Sequence, residues 1–429
     1  MIKVVFFTLL TFFLFSCSFN ENSKVWNQQN DFKNKKNLKK VFVENEKTLQ
    51  ELNPFLKLNL SQTRLKNYSD NNNFGTFNYL GYLNKVASFK FSKFNDLKKI
   101  NFKPILLENG LIFFDKNGSI IKYNYAGKII WKKNYYSKYD KKLSPKLDFS
   151  ISNNYLVVAD DVAKVHLLDI SSGDLIWSIN ATYPINSEII IHKEKFFLID
   201  YENTLKCYYL KDGSTCWSLQ TEKTFTISES KNSLIINDGL IIFSNSIGDI
   251  TSVDISTGLI EWQLPTQNNE IIDKTYNFEI SKLVNDKNFI YFSNNKNQIY
   301  SINIKNGIIN WTNKVNSILS PVIVGDYIFT ISNEGYLFTI QKNSGNIIKI
   351  NDIYKFYKNK KRKNIRPIGF VIGNNNIYLT NNDGKIIVIE LITGNIINIQ
   401  HISKKPISKP FIYNESLFVI RNGSVNQYN

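Results

Sequence analysis

The chain has 429 residues, 43% of them hydrophobic and 14% aromatic. Lys and Arg number 53 against 36 Asp and Glu, a net charge of +17 that on its own would suit nucleic acid or an anionic membrane surface. The lysines are scattered over turns in a sequence swollen in Lys, Asn and Ile together, and no nucleic-acid motif accompanies them, so the charge is not read as a nucleic-acid footprint. The three histidines, His166, His192 and His401, have no partner at ligand spacing, and no Cys or carboxylate cluster completes a zinc or calcium site.

At the N-terminus, Lys3 precedes an apolar run over residues 4–15, too short for a comfortable membrane span but suited to a signal peptide. The run ends in Leu14-Phe15-Ser16-Cys17, which resembles the bacterial lipobox. Residues 1–16 are therefore expected to be a lipoprotein signal peptide, with Cys17 lipidated after cleavage. Several acyl chains on one residue anchor a protein firmly. Residues 17–83 are expected to be a largely irregular tether, since the first part of this stretch is rich in Asn, Lys and Gln and has no repeat.

From residue 84 onward one pattern dominates. Gly127-Lys128-Ile129-Ile130-Trp131 returns as Gly173 to Trp177, Gly213 to Trp217, Gly258 to Trp262 and Gly307 to Trp311. Weaker copies start at Gly345 and Gly394, which keep the glycine and the aliphatic pair but lose the tryptophan. The glycines lie 46, 40, 45, 49, 38 and 49 residues apart. Before each glycine come two apolar runs split by a polar turn, as in residues 111–114, 115–118 and 119–123. Short β-branched and aromatic runs bounded by Asn, Asp, Ser and Gly are strands joined by hairpin turns. An earlier strand often starts at a proline (Pro104, Pro145, Pro184, Pro321, Pro367, Pro410), where the missing N–H need not join a ladder.

Each unit is thus a four-stranded antiparallel meander, and the period is that of a propeller. Runs of about four to six residues with few helix formers exclude a helical solenoid. The final segment, residues 409–428, supplies only three strands. Its fourth is expected from residues 85–91, so that the two ends of residues 84–429 share a blade and close an eight-bladed, all-β ring. The five tryptophans are expected to pack as core between adjacent blades.

Three further features stand apart from the repeat. Cys207 and Cys216 flank a hairpin turn and nearly face each other, which allows either a disulfide or two free thiols. Lys355, Lys358, Lys360, Lys361, Arg362, Lys363 and Arg366 form a basic cluster between the sixth and seventh units, readable as a solvated loop or a docking patch. Asp160, Asp161, Asp169 and Asp200 read as turn formers, and no nucleophile elbow or phosphate loop appears.

A Gly-x-x-x-Trp signature at the end of each blade resembles the pyrroloquinoline-quinone-type propeller superfamily, and eight such blades behind a lipobox resemble its BamB branch. The resemblance covers residues 85–428. It implies a non-catalytic, cofactor-free scaffold of the outer-membrane β-barrel assembly machinery, lipid-anchored at the periplasmic face of the outer membrane. The implied partner is a BamA-like barrel protein, bound through its POTRA domains, with unfolded outer-membrane proteins as further clients. In this family the contacts come from the loops entering the fourth and fifth units. Here those loops bring Ile227 where the family has leucine, Ser228 where it has arginine, Asn277 where it has an acid, and Glu279 as a retained acid. The quinoprotein dehydrogenases share the blades but carry an adjacent cysteine pair absent here. A quinoprotein-like enzyme or a ligand-binding propeller is the alternative function.

Overall fold

In seven blades a glycine with φ between +70° and +77° turns the chain into the last strand, at Gly127, Gly173, Gly213, Gly258, Gly307, Gly345 and Gly394. Only glycine adopts that conformation without cost. The computed structural model describes residues 49–60, 75–94, 103–222, 230–266 and 278–429. All of these but Leu49 fall in one unit, Gln50–Asn429.

Among the described residues the strands form eight four-stranded antiparallel sheets. Blades I to VII are β2–β5 (105–133), β6–β9 (147–180), β10–β13 (190–220), β14–β17 (234–264), β18–β21 (284–314), β22–β25 (322–352) and β26–β29 (367–401). Blade VIII combines β30–β32 (411–428) with β1 (Lys85–Lys90), in the order β30-β31-β32-β1. Phe89 pairs with Val425 and Ala87 with Gln427. The ring therefore closes with an N-terminal strand on the outer edge of the C-terminal blade, as the incomplete last repeat requires.

The second and third strands of a blade lie between neighbouring blades on both faces, so they read as continuous apolar runs. In blade I every residue of β3 (Gly110–Phe114) and β4 (Ile120–Tyr123) is buried, while in β5 (Ile129–Lys133) only Trp131 is. Just before the Trp position, strands three and four slip by one residue in all seven full blades. Such a bulge re-aims the following side chain, and here it turns the indole toward the next blade.

Each indole lies against the signature glycine of the following blade. An ideal Cβ on Gly173 would sit 2.7 Å from the Trp131 ring, and one on Gly307 would sit 2.6 Å from Trp262. Gly213, Gly258 and Gly345 meet Trp177, Trp217 and Trp311 in the same way. The indole N–H donates to a carbonyl three residues before that glycine, as in Trp177 to Leu210 O at 2.8 Å and Trp262 to Ile304 O at 2.8 Å. Trp131, Trp262 and Trp311 are buried; Trp177 and Trp217, expected as core, are half-buried because their outer edges face the rim.

Packing also extends upstream of residue 84. Leu52 and Ile350 exchange both backbone hydrogen bonds at 3.0 Å on the outer edge of blade VI, and Phe77 bridges Gly373 in parallel. Leu58, Phe77, Tyr79 and Leu83 are buried. These residues lie in the part of the chain assigned above to the tether, and they carry isolated bridges rather than strands. Cys207 on β12 (Thr204–Tyr209) and Cys216 on β13 (Thr215–Gln220) form a disulfide, with Cα atoms 5.2 Å apart.

Replacing Trp262 by Ala should cost about 3–5 kcal/mol, the range for truncating a large aromatic core residue. Gly307→Ala should cost at least ~1–2 kcal/mol from left-handed backbone strain alone. In denaturant titrations the double variant should lose less than the sum of the two, because removing the indole also removes the clash.

Candidate partner-binding face

An up-and-down meander puts the turns between strands two and three at one end of the ring, together with the connections from each blade to the next. The turns between strands one and two and between three and four lie at the other end. Both loops singled out by the family resemblance therefore belong to the first end. Of the four residues named there, Ile227, Ser228 and Asn277 lie outside the described residues, as does Cys17. Glu279 is described and half-buried. It follows the buried Phe278, and its carbonyl accepts the Asn295 N–H at 3.0 Å, which ties it to the hairpin turn of blade V.

That tie is one of a set. Phe278 lies on Gly248, Tyr136 on Gly118 and Tyr354 on Gly335, so close that a Cβ on any of these glycines would overlap the ring. The three glycines have φ of +86°, +74° and +85°. An aromatic residue in the inter-blade connection thus sits on the glycine of the preceding blade's hairpin and holds the loop base. The role of these aromatics was not legible in the repeat pattern. Tyr136 and Tyr354 come two or three residues after a fourth strand, a spacing that Phe278 does not share.

Asp160, Asp161 and Asp200, at this end, are taken up by turns. Asp160 Oδ1 accepts the N–H groups of Val162 and Lys164 at 2.9 and 2.8 Å, and its other oxygen accepts from the Tyr136 hydroxyl. Burial raises the Asp160 pKa to about 6. Asp200 accepts from Glu202 and Thr204, both at 3.0 Å, and pairs with Lys206 at 3.1 Å. At the other end, Asp169 holds its turn in the same way through Ser171 and Ser172. Asp161 accepts the Lys146 N–H.

The basic cluster forms a connection containing the short helix α2 (Asn359–Arg362); α1 (Lys138–Lys142) occupies the connection from blade I to blade II. The buried side chains of Tyr354, Tyr357 and Ile365 anchor the basic segment. Arg362 pairs with Asp352 at 2.7 Å and lies over the Tyr336 ring, and Lys361 reaches Asp383 at 3.5 Å. Lys355 approaches Glu51 at 3.7 Å. Lys358, Lys360 and Lys363 are exposed at the same end as Glu279.

The histidines stand on separate blades or turns. His401 is exposed, His192 closes a strand of blade III, and His166 is buried without a hydrogen-bond partner on either nitrogen. Among the described residues no group of three or more His, Cys, Asp or Glu is placed to hold a metal ion.

The model of a protein family described as outer membrane protein assembly factor BamB matches residues 116–351. Among solved structures, BamB from Moraxella catarrhalis is similar with a TM-score of 0.66 at 16% identity, covering 81% of this chain and 99% of that one. Quinohemoprotein alcohol dehydrogenase from Comamonas testosteroni is similar with a TM-score of 0.60 at 9% identity, over 83% of this chain and 78% of that one. The C-terminal WD40 domain of Sif2 follows with 0.58 at 12% identity, over 86% and 99%. No curated protein sequence matches. At such identities these structural likenesses show the propeller fold alone.

His166 gives this end a pH response. Burial, and then Lys164, pull its pKa from 6.5 to about 4. Between those values the unfolded chain binds a proton that the folded chain does not, so this histidine removes stability as pH falls from about 6.5 to 4. Asp160, with its folded pKa raised, contributes in the opposite sense over about pH 4 to 6. Comparing the parent with His166→Gln isolates the histidine. The parent should lose about 2 kcal/mol more than the variant between pH 8 and pH 5 in denaturant midpoints.

Proposed function

Since the chain belongs to the BamB family of outer membrane protein assembly factors, we propose that it is a non-catalytic scaffold of outer-membrane β-barrel assembly. It binds the POTRA region of a BamA-like barrel protein through the end that carries the inter-blade connections. Acyl chains on Cys17 hold it at the periplasmic face of the outer membrane. One observation carries this reading: the connections rise from a rigid ring and are fastened at their bases by the aromatic-on-glycine contacts of Tyr136, Phe278 and Tyr354. Loops positioned by a rigid scaffold are where binding residues concentrate. Asp160 and Asp200 at this end serve turns rather than a reaction centre, which supports a binding role.

The outer edges of the blades suit unfolded clients. On blade VI the edge residue Ile350 already pairs with an extended segment, through Leu52 of the same chain. By register, Thr312 is its equivalent on blade V, since Tyr300 opposes Thr312 as Phe338 opposes Ile350. Thr312 is exposed, and so is the aliphatic pair Ile308 and Ile309 beside it. Strand addition at such an edge draws affinity from backbone hydrogen bonds and is indifferent to the client's sequence.

The scaffold reading is tested with the full lipidated chain and purified POTRA domains. We expect saturable binding that falls at least tenfold when Ile227→Arg and Glu279→Arg are combined, with unchanged circular dichroism. A properly folded parent that fails to bind any POTRA domain ends this reading. For the client edge, Thr312→Pro should slow barrel folding in a reconstituted assay while POTRA binding persists. An unchanged folding rate would remove the edge from the mechanism.

A further inference from the structure

The way the N-terminal segment joins the ring fixes the end from which the chain leads back toward Cys17. Leu52 pairs antiparallel with Ile350, in the middle of β25 (Ile347–Asp352). On either side of that pair, Glu51 Oε1 accepts the Asp352 N–H and Asn53 Nδ2 donates to Ile348 O, both at 2.9 Å. As a fourth strand, β25 runs toward the end that carries the inter-blade connections. Its antiparallel partner runs away from that end, so residues 49–51 stand there. Cys17 lies 32 residues upstream of Leu49, a span of at most ~110 Å.

The basic connection from blade VI to blade VII opens beside this point of entry, with Lys355 Nζ 3.7 Å from Glu51. The carboxylates here are already matched. Asp352 is held by Arg362 at 2.7 Å, and Asp383 by Lys361 at 3.5 Å and the Tyr357 hydroxyl at 2.9 Å. Glu334, on the preceding blade turn, accepts from the Asn316 amide. Lys358, Lys360 and Lys363 are exposed and make no ion pair among the described residues. The next connection extends the surface. Gly384 O, beside Asp383, accepts the Ile402 and Ser403 N–H groups at 2.9 and 3.1 Å, and the exposed Lys404 and Lys405 follow. Exposed lysines therefore stand on both sides of the blade VII turn, on loops held by the buried Tyr357, Ile365 and Ile407.

We infer that these two connections form a headgroup-binding face, which seats the ring on the anionic phospholipids of the membrane that holds its anchor. The choice of partner rests on the proposed lipidation of Cys17. Lysines near an anionic bilayer are each attracted to it, and a tether leaving from the same end keeps headgroups at high effective concentration. An acidic protein surface would match the charge but not its position beside the tether. Seated this way, the ring turns the connections entering blades IV and V toward the bilayer in which a barrel partner sits.

The test uses the full mature chain with Cys17→Ser, which cannot be acylated, in sedimentation with vesicles. These are phosphatidylcholine alone, or phosphatidylcholine and phosphatidylglycerol at roughly two to one. Binding is expected only with phosphatidylglycerol, falling as salt rises. Combining Lys358→Gln, Lys360→Gln and Lys363→Gln should weaken it at least tenfold. Combining Lys193→Gln, Lys211→Gln and Lys305→Gln removes the same charge from exposed turns at the opposite end, and should weaken it less than threefold. Equal losses in the two triple variants would assign the binding to overall charge and overturn the inference. So would a parent that ignores anionic vesicles, or a first triple variant that loses POTRA binding while keeping vesicle binding. Mass spectrometry of the native chain decides the lipidation of Cys17 separately, so a failure of the anchor and a failure of the face are told apart.

Discussion

The contact on which the ring depends is a tryptophan lying where a glycine has no side chain. Five times an indole occupies the place that a Cβ of the next blade would fill, and its N–H satisfies a carbonyl of the same turn. The glycine is doubly determined, by its left-handed φ and by the ring above it. One contact therefore fixes the turn, the bulge and the distance to the neighbouring blade together. Because each blade reads only the next, stability is close to a sum of nearest-neighbour terms, as in other repeat architectures. That logic leaves a problem wherever a link in the series is lost.

The series fails after blade V. At the equivalent position blade VI has Lys349 and blade VII has Asn398. The N-terminal segment packs over this gap. Lys349 Nζ donates to Thr393 O of blade VII at 2.7 Å and also to Leu56 O, so the residue that replaces the indole fastens the segment to the ring. Leu58 joins the core between blades VI and VII. Phe77, Tyr79 and Leu83 join the one between blades VII and VIII, where Tyr79 meets Tyr378 edge-on at 4.9 Å. β1 then completes blade VIII. Chain that carries no repeat thus supplies the apolar area that the last repeats lack, at the seam where both ends of the propeller meet.

What the sequence made legible follows from this division. The blades were readable because glycine, the aliphatic pair and tryptophan recur at a fixed spacing, and their geometry makes each residue type nearly irreplaceable. Asp160, Asp169 and Asp200 were readable as turn residues because an Asx oxygen accepting two N–H groups is a local property. The packing of Leu58, Phe77 and Tyr79 was not readable, since an aperiodic segment gives no register to align. Of the loop residues, Glu279 has a described setting; Ile227, Ser228 and Asn277 remain defined by the resemblance alone.

The same repeat creates an outer surface that needs managing. The fourth strand of a blade is an outer edge, paired on blade VI by Leu52, and the aliphatic pair preceding the tryptophan is exposed on several of them, as at Ile129 and Ile130, Leu259 and Ile260, and Ile308 and Ile309. Long apolar edges invite association with other copies of the same chain. Here the bulge interrupts each edge beside the apolar pair, and charged or amide residues follow it, as in Trp131-Lys132-Lys133 and Asn313-Lys314. Facing β5 or β21 edges of two copies would therefore bring lysines together, in a chain already carrying a net charge of +17. An extended segment without that charge meets no such repulsion, and blade VI accepts one in its own N-terminal residues. Charge thus guards the outer edges of blades I and V, while the edge of blade VI is covered by a segment of its own chain.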